Sequence, residues 1–340
     1  MVTMQDVADK AGVSRVTVSR VLSNPDSVKY ETKRKILYWI KELGYEPDRT
    51  AQSLAGSRSG LIGLIVPDTI HYYYAEIVQY AEQFLSNQGY NLILCCSRGS
   101  LERTKQCLNL LHSRKVDGVL LFPPGNPVPV DYQDIKTPLV FLGKPLDSYN
   151  SVVSDLESGT DKISRYFLNN NHLHLGYVGP TEGTAFFNKY VAYKDFAKKN
   201  HMILENVVAC KSTNEGLYHI LEQYFLNHQI KSTAWFAHND EAGIILLKIL
   251  LRFGYQVPDD VIVAGYDNTN MAVLTTPSLT SVRQPIEEMM NKACELLISD
   301  INNPALPRKL IKLDNLLIVR ESTLKSSVLV QGSEPITKTF

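Results

Sequence analysis

Residues 3–24 read Thr-Met-Gln-Asp-Val-Ala-Asp-Lys-Ala-Gly-Val-Ser-Arg-Val-Thr-Val-Ser-Arg-Val-Leu-Ser-Asn, and their spacing predicts two short helices joined by a tight turn. Thr3 and Asp6 have capping-box spacing, in which hydroxyl and carboxylate each satisfy a backbone N–H at a helix start. Val7, Ala8 and Ala11 then recur on one face. Gly12 falls where a left-handed residue ends a helix, and Ser14 is placed to cap the next one, whose apolar face is Val18, Val21 and Leu22. Two helices across such a turn form a helix-turn-helix, whose second helix enters the DNA major groove. There Arg15, Val16 and Arg20 would face base edges, where Arg can bond guanine through two parallel hydrogen bonds, while Thr17 and Ser19 suit phosphate. Taken alone, the segment also fits an ordinary small helical bundle.

The residues that follow narrow the choice. Ile36, Leu37, Ile40 and Leu43 predict a third amphipathic helix over 30–43, ended at Gly44, and Pro47 breaks the chain. Asp48-Arg49-Thr50-Ala51-Gln52-Ser53-Leu54-Ala55-Gly56-Ser57 reads as one short helix followed by a Gly/Ser linker. Isolated helices below about 12 residues are marginal in water, so this one needs a partner to form.

At this point the chain resembles the lactose/galactose repressor family of bacterial regulators. Val2-Thr3, Asp6-Val7-Ala8, Ala11-Gly12-Val13-Ser14, Thr17-Val18-Ser19-Arg20-Val21 and Ala51-Gln52-Ser53-Leu54-Ala55-Gly56-Ser57 match its headpiece and hinge in order and spacing. The resemblance implies a homodimer on a pseudo-palindromic double-stranded operator, with paired hinge segments folding on the DNA and Leu54 wedged into the minor groove. Thr3, Ser14, Asn24, Arg49 and Ala55 complete the DNA-contacting set that it implies. One departure is Lys29, which stands where the family has a Ser or Thr capping its third helix. A lost cap typically costs about 1 kcal/mol.

The chain has 340 residues, 44% of them hydrophobic, enough to bury a large core in more than one domain. Its 35 basic and 35 acidic residues cancel. Residues 1–60 nevertheless carry ten Lys/Arg against seven Asp/Glu, a surplus of three that favours DNA contact through this end. Five cysteines, Cys95, Cys96, Cys107, Cys210 and Cys294, are odd in number and lack zinc-ligand spacing, so buried reduced thiols are expected. No signal sequence and no apolar run of membrane-spanning length is present; a cytoplasmic protein with no membrane partner is expected.

From residue 60 short apolar runs alternate with amphipathic stretches. Strands are predicted at 61–66, 91–96, 118–122, 139–142, 152–153, 174–178, 234–237, 261–265 and 310–313, with helices near 74–88, 101–114, 157–170, 187–200, 214–227, 240–253 and 285–301. This alternation implies parallel, doubly wound sheets, and their extent suggests two. The expected fold class is α/β, with a helix-turn-helix headpiece and two Rossmann-like subdomains. Val116-Asp117-Gly118-Val119, His238-Asn239-Asp240, Val263-Ala264-Gly265-Tyr266-Asp267 and Val319-Arg320-Glu321-Ser322-Thr323 extend the resemblance through this region. It implies subdomains of the periplasmic-binding-protein type clasping a small ligand. The boundaries it gives are a headpiece at 1–45, hinge and linker at 46–59, one subdomain at 60–157 with 285–316, a second at 158–284 with 317–328, and a flexible tail at 329–340.

Ligands of open α/β sheets bind beyond the carboxyl ends of strands, which selects Asp68, Tyr73, Lys144, Lys189, Lys211, Asn239, Asp267 and Gln284. Asn239, Asp267 and Gln284 coincide with ligand contacts in the family. Each also has a plain local explanation, Asn239 as a helix cap and Asp267 as a turn former. Lys189 replaces the family's Arg, and a compact point charge lacks the planar fork that clamps vicinal hydroxyls or carboxylates. Lys144, Lys189 and Lys211 could converge on an anion such as a sugar phosphate, or be solvated rim residues. His71-Tyr72-Tyr73-Tyr74 could stack on a sugar face or merely pack. No nucleophile elbow, phosphate-binding loop or dinucleotide fingerprint occurs, so no catalytic residue, metal or cofactor is expected. The function implied is an effector-controlled transcriptional regulator, most simply a repressor of a carbohydrate operon. The alternatives are a sugar-binding module without DNA regulation and a regulator controlled by a protein corepressor.

Overall fold

The computed structural model describes residues 2–23, 25–45, 58–125, 132, 134–182, 187–210, 215–304 and 307–324. Asn24, Arg49, Leu54, Ala55 and Lys211, the expected hinge helix and the expected tail lie outside these residues. The chain divides into two compact units, Met1–Ser59 and Gly60–Phe340.

In the first unit, α1 (Met4–Ala11) opens on the expected capping box, with Thr3 N donating to Asp6 Oδ2 at 2.8 Å and Asp6 N donating to Thr3 Oγ1 at 3.3 Å. Gly12, at φ +64°, ends it in the left-handed conformation. Ser14 Oγ accepts from Thr17 N at 3.2 Å and so caps α2 (Arg15–Ser23). The third helix, α3 (Tyr30–Leu43), has no side-chain cap from Lys29. Val7, Ala8, Ala11, Val18, Val21 and Ile36 are fully or almost fully buried, with Trp39, Ile40 and Leu43 packed around them. Leu37 departs from expectation and is 46% exposed. Ile36, Trp39, Ile40 and Leu43 follow the helical period, and Leu37 lies about 100° off that stripe.

The second unit runs β1 (Leu61–Val66), α4 (Tyr72–Asn87), β2 (Asn91–Cys96), α5 (Leu101–Ser113), β3 (Gly118–Leu121), β4 (Leu139–Leu142), β5 (Asn150–Ser154), α6 (Leu156–Asn169), β6 (His174–Gly179), α7 (Phe187–Lys199), β7 (Ile203–Ala209), α8 (Glu215–Asn227), β8 (Ala234–Ala237), α9 (Asp240–Arg252), β9 (Ile262–Asp267), α10 (Asn270–Leu274), β10 (Thr280–Arg283), α11 (Ile286–Asn302), β11 (Leu310–Leu313) and β12 (Leu316–Ile318). Two six-stranded sheets result, ordered β11-β5-β4-β3-β1-β2 and β12-β10-β9-β8-β6-β7. All pairings are parallel except β10 with β12. Central strands are buried on both faces, as helix-covered parallel sheets require. The α/β class with a helix-turn-helix headpiece is as expected.

Three strands escaped the sequence pattern, each for a physical reason. Glu205-Asn206 interrupts the apolar run of β7, a partly exposed edge strand that pairs with β6 across a register shift. Thr280-Ser281 of β10 is polar yet fully buried, because both hydroxyls are hydrogen-bonded. β12 is three residues long. Among the described residues the chain passes between the sheets at three places, after β5, after β10 and between β11 and β12.

Close packing of helices and rings on these sheets sets tight local limits. A Cβ on Gly176 of β6 would stand 2.3 Å from the indole of fully buried Trp235 on the neighbouring strand. Gly176→Ala should therefore lower unfolding stability by about 1–3 kcal/mol, the usual cost of overpacking, as measured by urea titration. An unchanged midpoint would mean that the indole can move aside.

Candidate functional site

The exposed face of α2 follows from helix geometry. Arg15, Val16, Ser19 and Arg20 are exposed and span an arc of about 140° on the wheel, opposite the buried Val18 and Val21. Val16 is 61% exposed, and no packing need of the headpiece explains it. Two guanidinium groups flanking an apolar side chain can read a base edge and a thymine methyl. Thr3 and Ser14 are exposed at the helix starts, Thr3 bonded to Asp6, and Thr17 is half-buried with its hydroxyl 2.9 Å from that of Ser14.

In the second unit, strand ends from both sheets surround a cavity of about 340 Å³. Asp68, Tyr73, Lys144, Lys189, Asn239, Asp267 and Gln284 all line it, so seven of the eight residues proposed for a ligand site meet in one place. Asp68, after β1, accepts from the backbone of Ile70 and His71 at 3.0 Å each and contacts His71 Nδ1 at 2.8 Å. Partial burial, the largest single effect, raises its pKa, but these bonds and the nearby His71 together outweigh it and hold the carboxyl below the usual range. Across the cavity, His71 Nε2 stands 3.7 Å from Glu241 Oε2. Tyr73 and Tyr74 are buried edge to face, 5.2 Å between centroids, and Phe122 closes the wall 5.4 Å from Tyr74. Tyr72 instead is 45% exposed.

The floor is charged and buried. Lys189, on α7, is 1% exposed; its Nζ donates to His238 O at 2.8 Å, lies 3.7 Å from Asp267 Oδ1 and sits 3.6 Å from the centroid of the Tyr266 ring. Burial lowers its pKa, and Asp267 and Asp240 pull the other way. Asp267 Oδ1 also accepts from Gln284 Nε2 at 2.7 Å. That bond orients the amide and leaves Gln284 Oε1 buried with no hydrogen-bond partner. Asp267 and Asn268 adopt φ of +98° and +54°, a strained turn held by Thr269 N donating to Asp240 Oδ2 at 2.6 Å and Asn268 N donating to Ser281 Oγ at 3.0 Å. Asn239 Oδ1 accepts from Ala242 N at 2.9 Å as cap of α9, and the residue also lines the cavity. At the rim, Lys144 donates to Gly125 O at 3.1 Å.

His238 and Phe122 also line the cavity and were missed from sequence. His238 follows β8 directly, so the strand-end rule that selected Asn239 applied equally to it. Phe122 was read as the last residue of a buried strand, and an apolar wall carries no polar signal.

These features have counterparts in known proteins. Residues 3–48 match the model for bacterial regulatory proteins of the lacI family, and residues 164–323 match a periplasmic binding protein-like domain. The transcriptional regulator RegA of Clostridium saccharobutylicum is 31% identical over 334 residues, covering 95% of this chain and 99% of RegA. The chain belongs to the lacI family of bacterial regulatory proteins. It is a DNA-binding transcriptional regulator. The ribose operon repressor of Escherichia coli K12 is 29% identical over 331 residues, covering 95% of this chain and all of that protein. A solved structure of a lac repressor dimer bound to operator and the anti-inducer ONPF superimposes with a TM-score of 0.84 at 25% identity, covering 95% of this chain and 99% of that one.

Two buried groups beneath the lacI-family cavity titrate with opposite consequences. Burial, reinforced by Asp267, pushes Asp240 up to about 7, whereas burial, reinforced by Lys189, pulls His238 down to about 3. A raised carboxyl binds its proton more tightly in the folded state, so its stabilisation is full below about pH 4 and is lost as pH rises through about 7. A depressed histidine stabilises above its unfolded pKa of about 6.5 and loses this as pH falls towards about 3. The two nearly offset between pH 4 and 6.5. In Asp240→Asn the histidine acts alone, and stability relative to wild type should rise with pH across that window by up to about 1.4 kcal/mol per unit. Parallel curves for the two proteins, from urea titrations at several pH values, would show that Asp240 is not protonated in the fold.

Proposed function

We propose that the chain represses a carbohydrate-utilisation operon, binding a pseudo-palindromic operator as a homodimer whose DNA affinity is set by an uncharged polyhydroxylated effector in the cavity. In this reading residues 1–45 are the DNA-binding headpiece and 46–59 the hinge and linker. The lobes are 60–157 with 285–316 and 158–284 with 317–328, followed by the tail at 329–340. Arg15, Val16 and Arg20 read bases; Thr3, Ser14, Thr17, Ser19, Asn24, Arg49 and Ala55 hold backbone or groove, and Leu54 opens the central step. Asp68, Tyr73, Lys144, Lys189, Lys211, Asn239, Asp267 and Gln284 form the effector site.

The observation that carries the effector class is the engagement of Lys189. Its ammonium is enclosed by Asp267, the His238 carbonyl and the Tyr266 ring, so an incoming phosphate or carboxylate would lie beside carboxylates without gaining an open cation. Gln284 Oε1 and Asp267 are acceptors and call for ligand hydroxyl donors, while the Tyr73, Tyr74 and Phe122 wall suits the apolar face of a sugar ring. The names of the ribose operon and lac relatives support the same class. Differential contact of the effector with two lobe arrangements would couple it to the operator by about 1–3 kcal/mol.

Neutral monosaccharides and disaccharides should raise the melting temperature in a thermal-shift screen, while the matching sugar phosphates should not. A ligand at 100 times its dissociation constant adds about 2.7 kcal/mol. A phosphate that outperforms its parent sugar would overturn the uncharged class. On DNA, Leu54→Ala should weaken binding to the selected palindrome at least about tenfold more than binding to random duplex, the discrimination expected of a wedge at one step. Equal losses on both, by fluorescence anisotropy at one salt concentration, would remove Leu54 from that role.

A further inference from the structure

The polar network that reaches furthest from the cavity runs through Tyr266, on β9. The Lys189 ammonium lies over the face of its fully buried ring. At the other end, the Tyr266 hydroxyl accepts from Asn315 Nδ2 at 3.0 Å. Asn315 is fully buried between β11 and β12, at one passage of the chain between the sheets. Its Nδ2 also donates to Asp155 O at 2.6 Å, and its Oδ1 accepts from Ser154 Oγ at 2.7 Å, at a second passage. One amide, with both donor hydrogens and its acceptor in use, thus ties two passages to a side chain of the other sheet. Gly159 on α6 makes room for this, since a Cβ there would stand 2.3 Å from the Tyr266 hydroxyl.

We propose that Tyr266 and Asn315 are positioning residues that transmit the state of the Lys189 cation in the cavity to the passages between the two sheets. A tyrosine ring is rigid from face to hydroxyl, and the cation holds it by charge–quadrupole attraction. A ligand that draws Lys189 away releases the ring, the hydroxyl shifts, and Asn315 loses a bond at the point about which the lobes reorient. The support is the contiguity of these contacts from the cavity to the passages, and the test asks whether they act as one coupled element. The inference rests on the effector reading only in naming what displaces Lys189.

The test needs neither effector nor operator, so its outcome is separate from the fate of that reading. Hydrogen exchange of the full-length protein is followed by mass spectrometry in peptides covering 153–158 and 313–318. Lys189→Met should accelerate exchange there about fivefold, as expected for loosening one buried hydrogen bond. In a Tyr266→Phe background the ring stays under the cation but the hydroxyl is gone, and adding Lys189→Met should change exchange by less than about twofold. Lys189→Arg, which keeps a cation over the ring, should stay near wild type. The proposal is overturned by equal acceleration in both backgrounds, or by no acceleration in the parent protein. If Lys189→Met does not fold, Lys189→Gln is read in the same two backgrounds by the same criterion.

Discussion

A buried ammonium group, that of Lys189, constrains more of this structure than any other single group. Removing such a charge from water costs several kcal/mol even after relaxation. Lys189 recovers this from a carbonyl at 2.8 Å, an aromatic face at 3.6 Å and a carboxylate at 3.7 Å. Each of those partners is then committed. Asp267 must sit in a left-handed turn, which Asp240 and Ser281 hold in place. Gln284 must present its amide N–H₂ to Asp267, which leaves its oxygen buried without a hydrogen-bond partner. The polarity that a ligand meets is thus a consequence of how one buried cation is paired.

The two sheets make such a floor possible. Parallel strands end together, so side chains just beyond β1, β8, β9 and β10 gather at one edge of each sheet. Among the described residues three passages of the chain join the sheets, and at two of them the buried Ser154 and Asn315 are hydrogen-bonded to each other. A regulator needs both properties: a cavity rigid enough to recognise a ligand, and a junction soft enough to respond.

Much of this was legible in advance, and the failures are informative. The headpiece was readable residue by residue because caps, turn glycine and apolar period are local, and Thr3, Asp6, Gly12 and Ser14 act within a few residues of one another. Leu37 misled because hydrophobicity alone does not distinguish it from Trp39, and only the helix phase does. β10 was unreadable because Thr280 and Ser281 are buried by virtue of hydroxyl bonds to Arg320 and Asp240, far away in sequence. Five of the seven cavity residues stand at strand ends, while Tyr73 and Lys189 reach the cavity from helices, and the expected convergence of lysines on an anion is not seen for the two lysines that line it. Lys144 instead donates to a rim carbonyl and Lys189 is enclosed.

The sequence by itself determined the helix-turn-helix, the alternation that makes two doubly wound sheets and the strand ends where a ligand site would gather. These are fixed by short-range periodicity and capping, which depend only on neighbours along the chain. Only the tertiary structure decided that His238 and Phe122 join the cavity, that Asp240 holds the Asp267 turn, and that Asn315 meets Ser154, Asp155 and Tyr266. Charge pairing and burial depend on which groups are brought within a few ångströms by folding. Asn315 and Ser154 lie 161 residues apart, a separation at which no local pattern carries information about contact.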